Sequence, residues 1–276
     1  MEHFLVDAYT PKEIAARIES SGITKSTSDP LRVFALAILA GAFIAMGAVF
    51  FTIVTYDSLG IAAGLMRLIG GLAFCLGLIL VVVAGAELFT GNNLIVMAYV
   101  DGKVTMKQLL HNWSIVYFGN FVGALGVMGL IYFSGQWDIG NGAVGAKVIA
   151  IANAKVNLTW MEAFTRGILC NILVCLAVWL CFAGRTVIDK VLAILFPITA
   201  FVAMGFEHSV ANMYFISAGL MAKQQPEFLD LMSTMNVDNL TIMNFLFNNL
   251  LPVTLGNIVG GSFFVGLFYW FIYLRK

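Results

Sequence analysis

The sequence predicts an all-α integral membrane protein, with six transmembrane helices arranged as two inverted three-helix repeats in which helices 2 and 5 are broken. Three observations carry this expectation. The 276 residues are 61% apolar and 11% charged, against about a quarter charged in a soluble domain, so lipid is the main solvent. Six runs nearly free of charge are each long enough to cross a hydrocarbon core of about 30 Å. Two stretches of the first half recur, in the same order, in the second.

Residues 1–30 form a polar arm, and residues 31–276 form the transmembrane domain, with repeats over about 31–133 and 164–276. In the arm, Thr10, Pro11 and Glu13 resemble a capped helix start, with a first-turn proline and a capping-box acid. Ile14 and Ile18 then share one face. This amphipathic helix is expected at the membrane surface, the simpler placement, or on the pore mouth. The scattered charges of the arm lack the basic start and short apolar run of a cleaved signal peptide.

The expected spans are Val33–Tyr56, Leu68–Val100, Trp113–Phe133, Gly167–Gly184, Val191–Ala222 and Phe245–Leu274. Ten basic residues fall on one side if the N-terminus is cytoplasmic: Lys12, Arg17, Lys25, Arg32, Lys103, Lys107, Arg185, Lys190, Arg275 and Lys276. The positive-inside rule then puts both termini in the cytoplasm. The second span would run about 50 Å as one straight helix, too long for the bilayer, so it must break. It carries Glu87 near its middle after Gly85, and the fifth carries Glu207 after Gly205.

Those two places are the repeat. GAELFTGN (Gly85 to Asn92) lies over GFEHSVAN (Gly205 to Asn212) at an offset of 120 residues, with Gly, Glu and Asn coinciding. Asn112, Gly119, Asn120, Val122 and Gly123 of the third span match Asn249, Gly256, Asn257, Val259 and Gly260 of the sixth. An odd number of crossings per half turns the second half upside down, the plan of many transport proteins, with the pathway along the pseudo-twofold interface. The paired glycines have the small-xxx-small spacing of closely packed membrane helices.

Backbone freed at a break must find protein or a water-filled cavity, so the breaks mark a solute pathway. Half-helix N-termini there offer partial positive charge and free N–H donors to an anion. Glu87 and Glu207, with Asn92 and Asn212, are expected to be structural, the carboxylates capping freed backbone N–H groups. His208 is the sharpest candidate, an ionisable side chain at membrane depth that can donate a hydrogen bond or exchange a proton. Thr90, on the other break, can bond the histidine or the solute.

Other chemistries are poorly supplied. Cys75, Cys170, Cys175 and Cys181 lie in apolar stretches and read as buried hydrophobes. His3, His111 and His208 stand at no ligand spacing to them, so no metal, disulfide framework or cofactor is expected. A formal net charge of zero argues against nucleic acid. Glu207 and His208 as an enzymatic acid/base pair would point about 100° apart on a helix, with no nucleophile beside them, and the chain is expected not to be an enzyme.

The blocks GAELFTGN, GNFVGA (Gly119 to Ala124), LCNILVCLAVW (Leu169 to Trp179), GFEHSVANM (Gly205 to Met213) and PVTLGNIVGG (Pro252 to Gly261) resemble the formate/nitrite transporter family over nearly the whole chain. The resemblance implies an aquaporin-like protomer, a homopentamer with one pore per protomer, and the bacterial inner membrane. It implies formate and similar small monovalent anions as solutes, with nitrite or hydrosulfide as the alternative. A water or neutral-solute pore is a weaker rival, because the Asn-Pro-Ala pair of aquaporins is missing. The family's central histidine falls on His208, its partner threonine on Thr90, its fourth-span asparagine on Asn171, and its outer-vestibule lysine, which attracts the anion, on Lys155. Its apolar constrictions fall among Phe74, Leu78 and Phe201 on one side and Leu88, Phe89, Val174 and Val210 on the other. A bare anion at membrane depth costs about 3 kcal/mol. The expected remedy is proton donation from His208, oriented by Thr90 and Asn171, so that neutral acid crosses the constriction.

Overall fold

The computed structural model describes residues 8–57, 60–232 and 234–275. The first seven residues of the arm, His3 among them, lie outside the described residues, as does Lys276. Helix α1 (Pro11–Thr27) starts at the expected capping box, with Thr10 Oγ1 accepting from the Glu13 amide and Glu13 Oε2 accepting from the Thr10 amide at 2.8 Å. Its apolar face does not look to lipid. Ile14, Ala15 and Ile18 are buried against Leu94, Met97, Trp179 and Val265, so α1 lies on a pore mouth and belongs to the membrane-embedded body.

Asp29 caps the next helix through the Arg32 amide, with Pro30 in the first turn, and α2 (Pro30–Thr55) follows. Then come α3 (Ala63–Ala84), a four-residue break, and the short helices α4 (Phe89–Asn92) and α5 (Val96–Val100), joined by a 3-10 turn at Asn93–Ile95. The third span is α6 (Met106–Phe133). After a connecting helix, α7 (Ala143–Val156), the second half repeats the plan: α8 (Trp160–Ala183), α9 (Val187–Ala203), a break, and α10 (Ser209–Ala222). A short helix, α11 (Pro226–Asp230), precedes the last span, α12 (Asn244–Tyr273), which holds π-helical stretches at Asn244–Leu250 and Val259–Leu267. Five of these helices are long and apolar enough to cross a membrane, and α9 with the apolar α10 makes the sixth span.

Both breaks occur where expected, for one backbone reason. Gly85 and Gly205 end their helices in the left-handed region, at φ 79° and 71°, and the following amides turn back five residues, Ala86 to Val81 O at 2.9 Å and Phe206 to Phe201 O at 3.0 Å. This is the helix-stop geometry that glycine adopts without steric cost. The paired glycines of the third and sixth spans serve close packing. A Cβ on Gly123 would stand 2.0 Å from the Ile38 carbonyl oxygen on α2, and one on Gly256 would stand 2.1 Å from that of Phe164 on α8.

Candidate functional site

The two breaks face each other at the centre of the protein. The N-terminal turns of α4 and α10 meet there, where Thr90 Oγ1 lies 2.9 Å from His208 Nε2. Both residues are buried. His208 is the N-cap of α10, and its Nδ1 accepts the Ala211 amide at 3.1 Å. That amide occupies the Nδ1 lone pair, so a neutral imidazole in this arrangement carries its proton on Nε2 and donates it to Thr90 Oγ1, which leaves the threonine hydroxyl proton free to point elsewhere. Protonating Nδ1 requires this cap to open.

Asn171 makes no hydrogen bond to the imidazole. Its Nδ2 donates to the Thr90 carbonyl at 3.2 Å, to Asn93 Oδ1 at 2.7 Å and to the Asn257 carbonyl at 2.7 Å. It therefore bears on the histidine indirectly, through Thr90 and through Asn257, which holds the adjoining Ser209 amide.

The freed backbone at the breaks is satisfied by residues other than those expected. Asn120 on α6 accepts the Phe89 amide at 2.9 Å and donates to the Ala37 and Glu87 carbonyls. Asn257 on α12 does the same for the Ser209 amide at 2.9 Å and the Gly167 and Glu207 carbonyls. The expectation that Glu87 and Glu207 cap backbone N–H groups is corrected, because the asparagines do that work. Free donors at the half-helix N-termini are likewise reduced, since the Phe89, Ser209 and Ala211 amides already have protein acceptors.

The carboxylates hold lysines instead. Glu87 Oε2 receives Lys25 Nζ at 3.0 Å and Asn92 Nδ2 at 2.7 Å, Asn92 Nδ2 also reaches Asn112 Oδ1, and Asn112 Nδ2 closes the ring on the Lys25 carbonyl. In the other half Glu207 receives Lys155 Nζ at 2.8 Å and Asn212 Nδ2 at 2.6 Å, while Asn249 bridges Asn212 to the Lys155 carbonyl. Helices α1 and α7 thus supply equivalent lysines, and the repeat includes both. One bond is missing from the second network: Lys25 Nζ also reaches Asn92 Oδ1 at 2.8 Å, whereas Asn212 Oδ1 is buried without a partner. Lys155, expected to attract the anion, is neutralised by Glu207 and mostly buried, so any net positive field at its mouth must come from other cations.

Apolar walls flank the centre. Phe201 stacks on the His208 ring at 6.0 Å and meets Phe74 edge-on at 5.7 Å. Leu78 is buried in the same apolar core. One helical turn nearer the break, it lines the cavity at the α1 mouth together with Leu88, which corrects its side. Phe89 turns away to pack on α6, its ring 4.9 Å from Tyr117 and edge-on to Trp113, as a packing residue does. Val174 and Val210 are fully buried in the central core.

The α1 mouth opens into a cavity of about 600 Å³ rimmed by Arg17, Lys25, Arg185 and Lys190. There Tyr9 lies between two guanidinium groups, Arg17 at 3.9 Å and Arg185 at 4.1 Å from the ring centre. Sequence reasoning missed Lys25 and the capping roles of Asn120 and Asn257. The asparagines did leave a signal, since each recurs in the repeat as a polar residue inside an apolar span.

A sequence model of the family described as Formate/nitrite transporter matches residues 12–271. The chain is 46% identical to "Formate channel FocA" of Escherichia coli (strain K12), covering 98% of this chain and 96% of that one. It is 45% identical to the protein of the same description from Haemophilus influenzae, covering 95% and 93%. A solved structure described as "Pentameric formate channel with formate bound" superposes with a TM-score of 0.83 at 43% identity, covering 89% of this chain and 98% of that one. Broken helices that meet at a threonine–histidine pair, in a chain matched along almost its whole length, lead to one conclusion: this protein belongs to the formate/nitrite transporter family.

Proposed function

We propose that this chain is a formate channel of the bacterial inner membrane, assembled as a homopentamer with a pore through each protomer and with both termini cytoplasmic. The observation that carries the reading is the Thr90–His208 contact between apolar walls at the meeting of two broken helices. Support for the solute and the assembly comes from the relatives described as formate channels and from the pentameric structure with formate bound. Nitrite is the second reading, because the family description includes it. The basic rim at the α1 mouth supports a cytoplasmic placement of that face by the positive-inside rule.

In this reading the anion enters from either vestibule, loses water at the apolar walls and meets the Thr90 hydroxyl, which His208 polarises by donating from Nε2. Proton donation to formate draws on the same Nε2 proton through Thr90, and it is completed only if Nδ1 exchanges its backbone cap for a proton. Passage as anion and passage as neutral acid therefore differ in whether the His208–Ala211 bond opens. The test is flux into liposomes loaded with a pH dye. His208→Phe is expected to separate anion current from net formic acid flux; unchanged values of both would remove the histidine from the mechanism, and a wild-type protein passing water but no formate or nitrite would remove the function.

A further inference from the structure

The mouth opposite α1 holds a second cavity, of about 540 Å³, where α2, α3, α7, α8 and the end of α9 converge. Three cations line it, Arg67, Lys147 and Arg166, and no carboxylate does. Neither Arg67 nor Lys147 has an ion-pair or hydrogen-bond partner among the described residues, although Lys147 is half-buried. Arg166 has only a 3.7 Å contact with the exposed Glu162. Glu207 does not cancel this charge, because its carboxylate is already paired with Lys155. At the α1 mouth, by contrast, Lys25 is neutralised by Glu87 and two arginines are engaged by Tyr9.

A monoanion of three heavy atoms needs neither this room nor this charge. One water occupies about 30 Å³ of liquid, so a solute of three heavy atoms fills a small part of the cavity. Two guanidinium forks and an ammonium lining one cavity that no acid lines fit an anion with several oxygens and more than one charge, because forks bind such groups bidentately and the charges act together. Such an anion cannot follow a monoanion through the Phe74–Phe201 wall, since the penalty for charge at membrane depth grows with charge. It would sit at the mouth and exclude the permeant.

We propose that the cavity framed by Arg67, Lys147 and Arg166 binds a soluble multivalent oxyanion of the phosphate class, which inhibits flux from that face. The inhibition rests on the channel reading above; the binding does not. The experiment uses the purified full-length protein with inorganic pyrophosphate as probe. Calorimetry is expected to show saturable binding that weakens about tenfold or more in Arg67→Gln and in Lys147→Gln, each variant checked for an unchanged elution volume. In planar bilayers, pyrophosphate added on this face, but not on the α1 face, should reduce wild-type formate current, and sodium chloride of equal ionic strength should not. No saturable binding, or equal binding in both variants, overturns the site. Binding abolished by nanodiscs of phosphatidylglycerol but kept in nanodiscs of neutral lipid makes the occupant a lipid headgroup and overturns the soluble-anion assignment. Binding that is lost in the variants, in a protein passing no formate, sustains the site and fails the channel reading instead.

Discussion

Replacing Asn257 with leucine tests the central claim that the breaks are held open by asparagines of the third and sixth spans. The side chain is fully buried and makes three bonds to backbone, accepting from Ser209 at 2.9 Å and donating to the carbonyls of Gly167 at 2.8 Å and Glu207 at 3.0 Å. Leucine keeps the branched heavy-atom shape, with bulkier methyl groups at the two tips, and removes all three. At about 1 kcal/mol net per buried hydrogen bond, the loss is about 3 kcal/mol, weighted towards the Ser209 amide, which has no water to turn to. For a chain of this size that lowers Tm by about 6–12 °C, readable by a thermal shift assay in detergent. Asn257→Asp keeps the acceptor for Ser209 but turns a buried carboxylate oxygen on the Gly167 and Glu207 carbonyls, so it should lose at least as much as leucine. Asn120→Leu removes the equivalent three bonds from the other break and should lose a similar amount, while formate flux should fall further in Asn257→Leu, because Ser209 adjoins His208. If both leucine variants melt within about 1 °C of wild type, the asparagines do not support the breaks.

Lys155→Met leaves Glu207 buried without its cation and should cost about 3–5 kcal/mol, more than Lys25→Met, whose partner Glu87 is more exposed (12% against 5%); adding Glu207→Gln to Lys155→Met should recover much of the loss in the same melting assay. Gly85→Ala and Gly205→Ala meet no atom within 4 Å, so their cost is purely that of a left-handed alanine, about 1–2 kcal/mol; an unchanged Tm would mean the breaks are not fixed by these glycines. The docking of α1 beside the turn after α5 should be insensitive to pH between about 5 and 9. Asp101 is held below the usual carboxylate range by the Trp270 indole and then by Lys103, so its contribution is lost only as pH falls below about 4. Lys103 is raised by Glu19 and then by Asp101, so its contribution is lost only as pH rises above about 10. Limited proteolysis of α1 across that range checks this, and cleavage rising between pH 7 and 5.5 would assign the docking to another group.

The spans and both breaks were legible because they follow from quantities visible in one dimension. A run too long for the bilayer must break, and a glycine before a buried glutamate shows where. The pseudo-twofold repeat was legible because Gly, Glu and Asn recur at one offset. The partners of the freed backbone were not. Asn120 lies beside Gly119 and Gly123, a pattern that close packing alone accounts for, and its bond to Phe89 joins residues far apart in the chain. Lys25 was hidden for a different reason. A charged residue in a polar arm reads as solvated, and only the docking of α1, through Ile14 and Ile18 on Trp179, brings it to Glu87. The correction to Leu78 has the same origin, since one helical turn decides which mouth a residue faces and apolarity does not encode that turn.

The offset of 120 residues also sets Leu88 against His208 and Thr90 against Val210. Each half therefore contributes one polar and one apolar side chain to the centre, in opposite order. The scaffold looks alike from both ends, but a permeating anion meets its donors and its walls in a different sequence from each. The free-energy profile along the pore is then skewed about the midplane, and with equal solutions on both sides the current at +100 mV and −100 mV should differ. On the channel reading, a symmetric frame with two unmatched positions at its axis is expected to rectify.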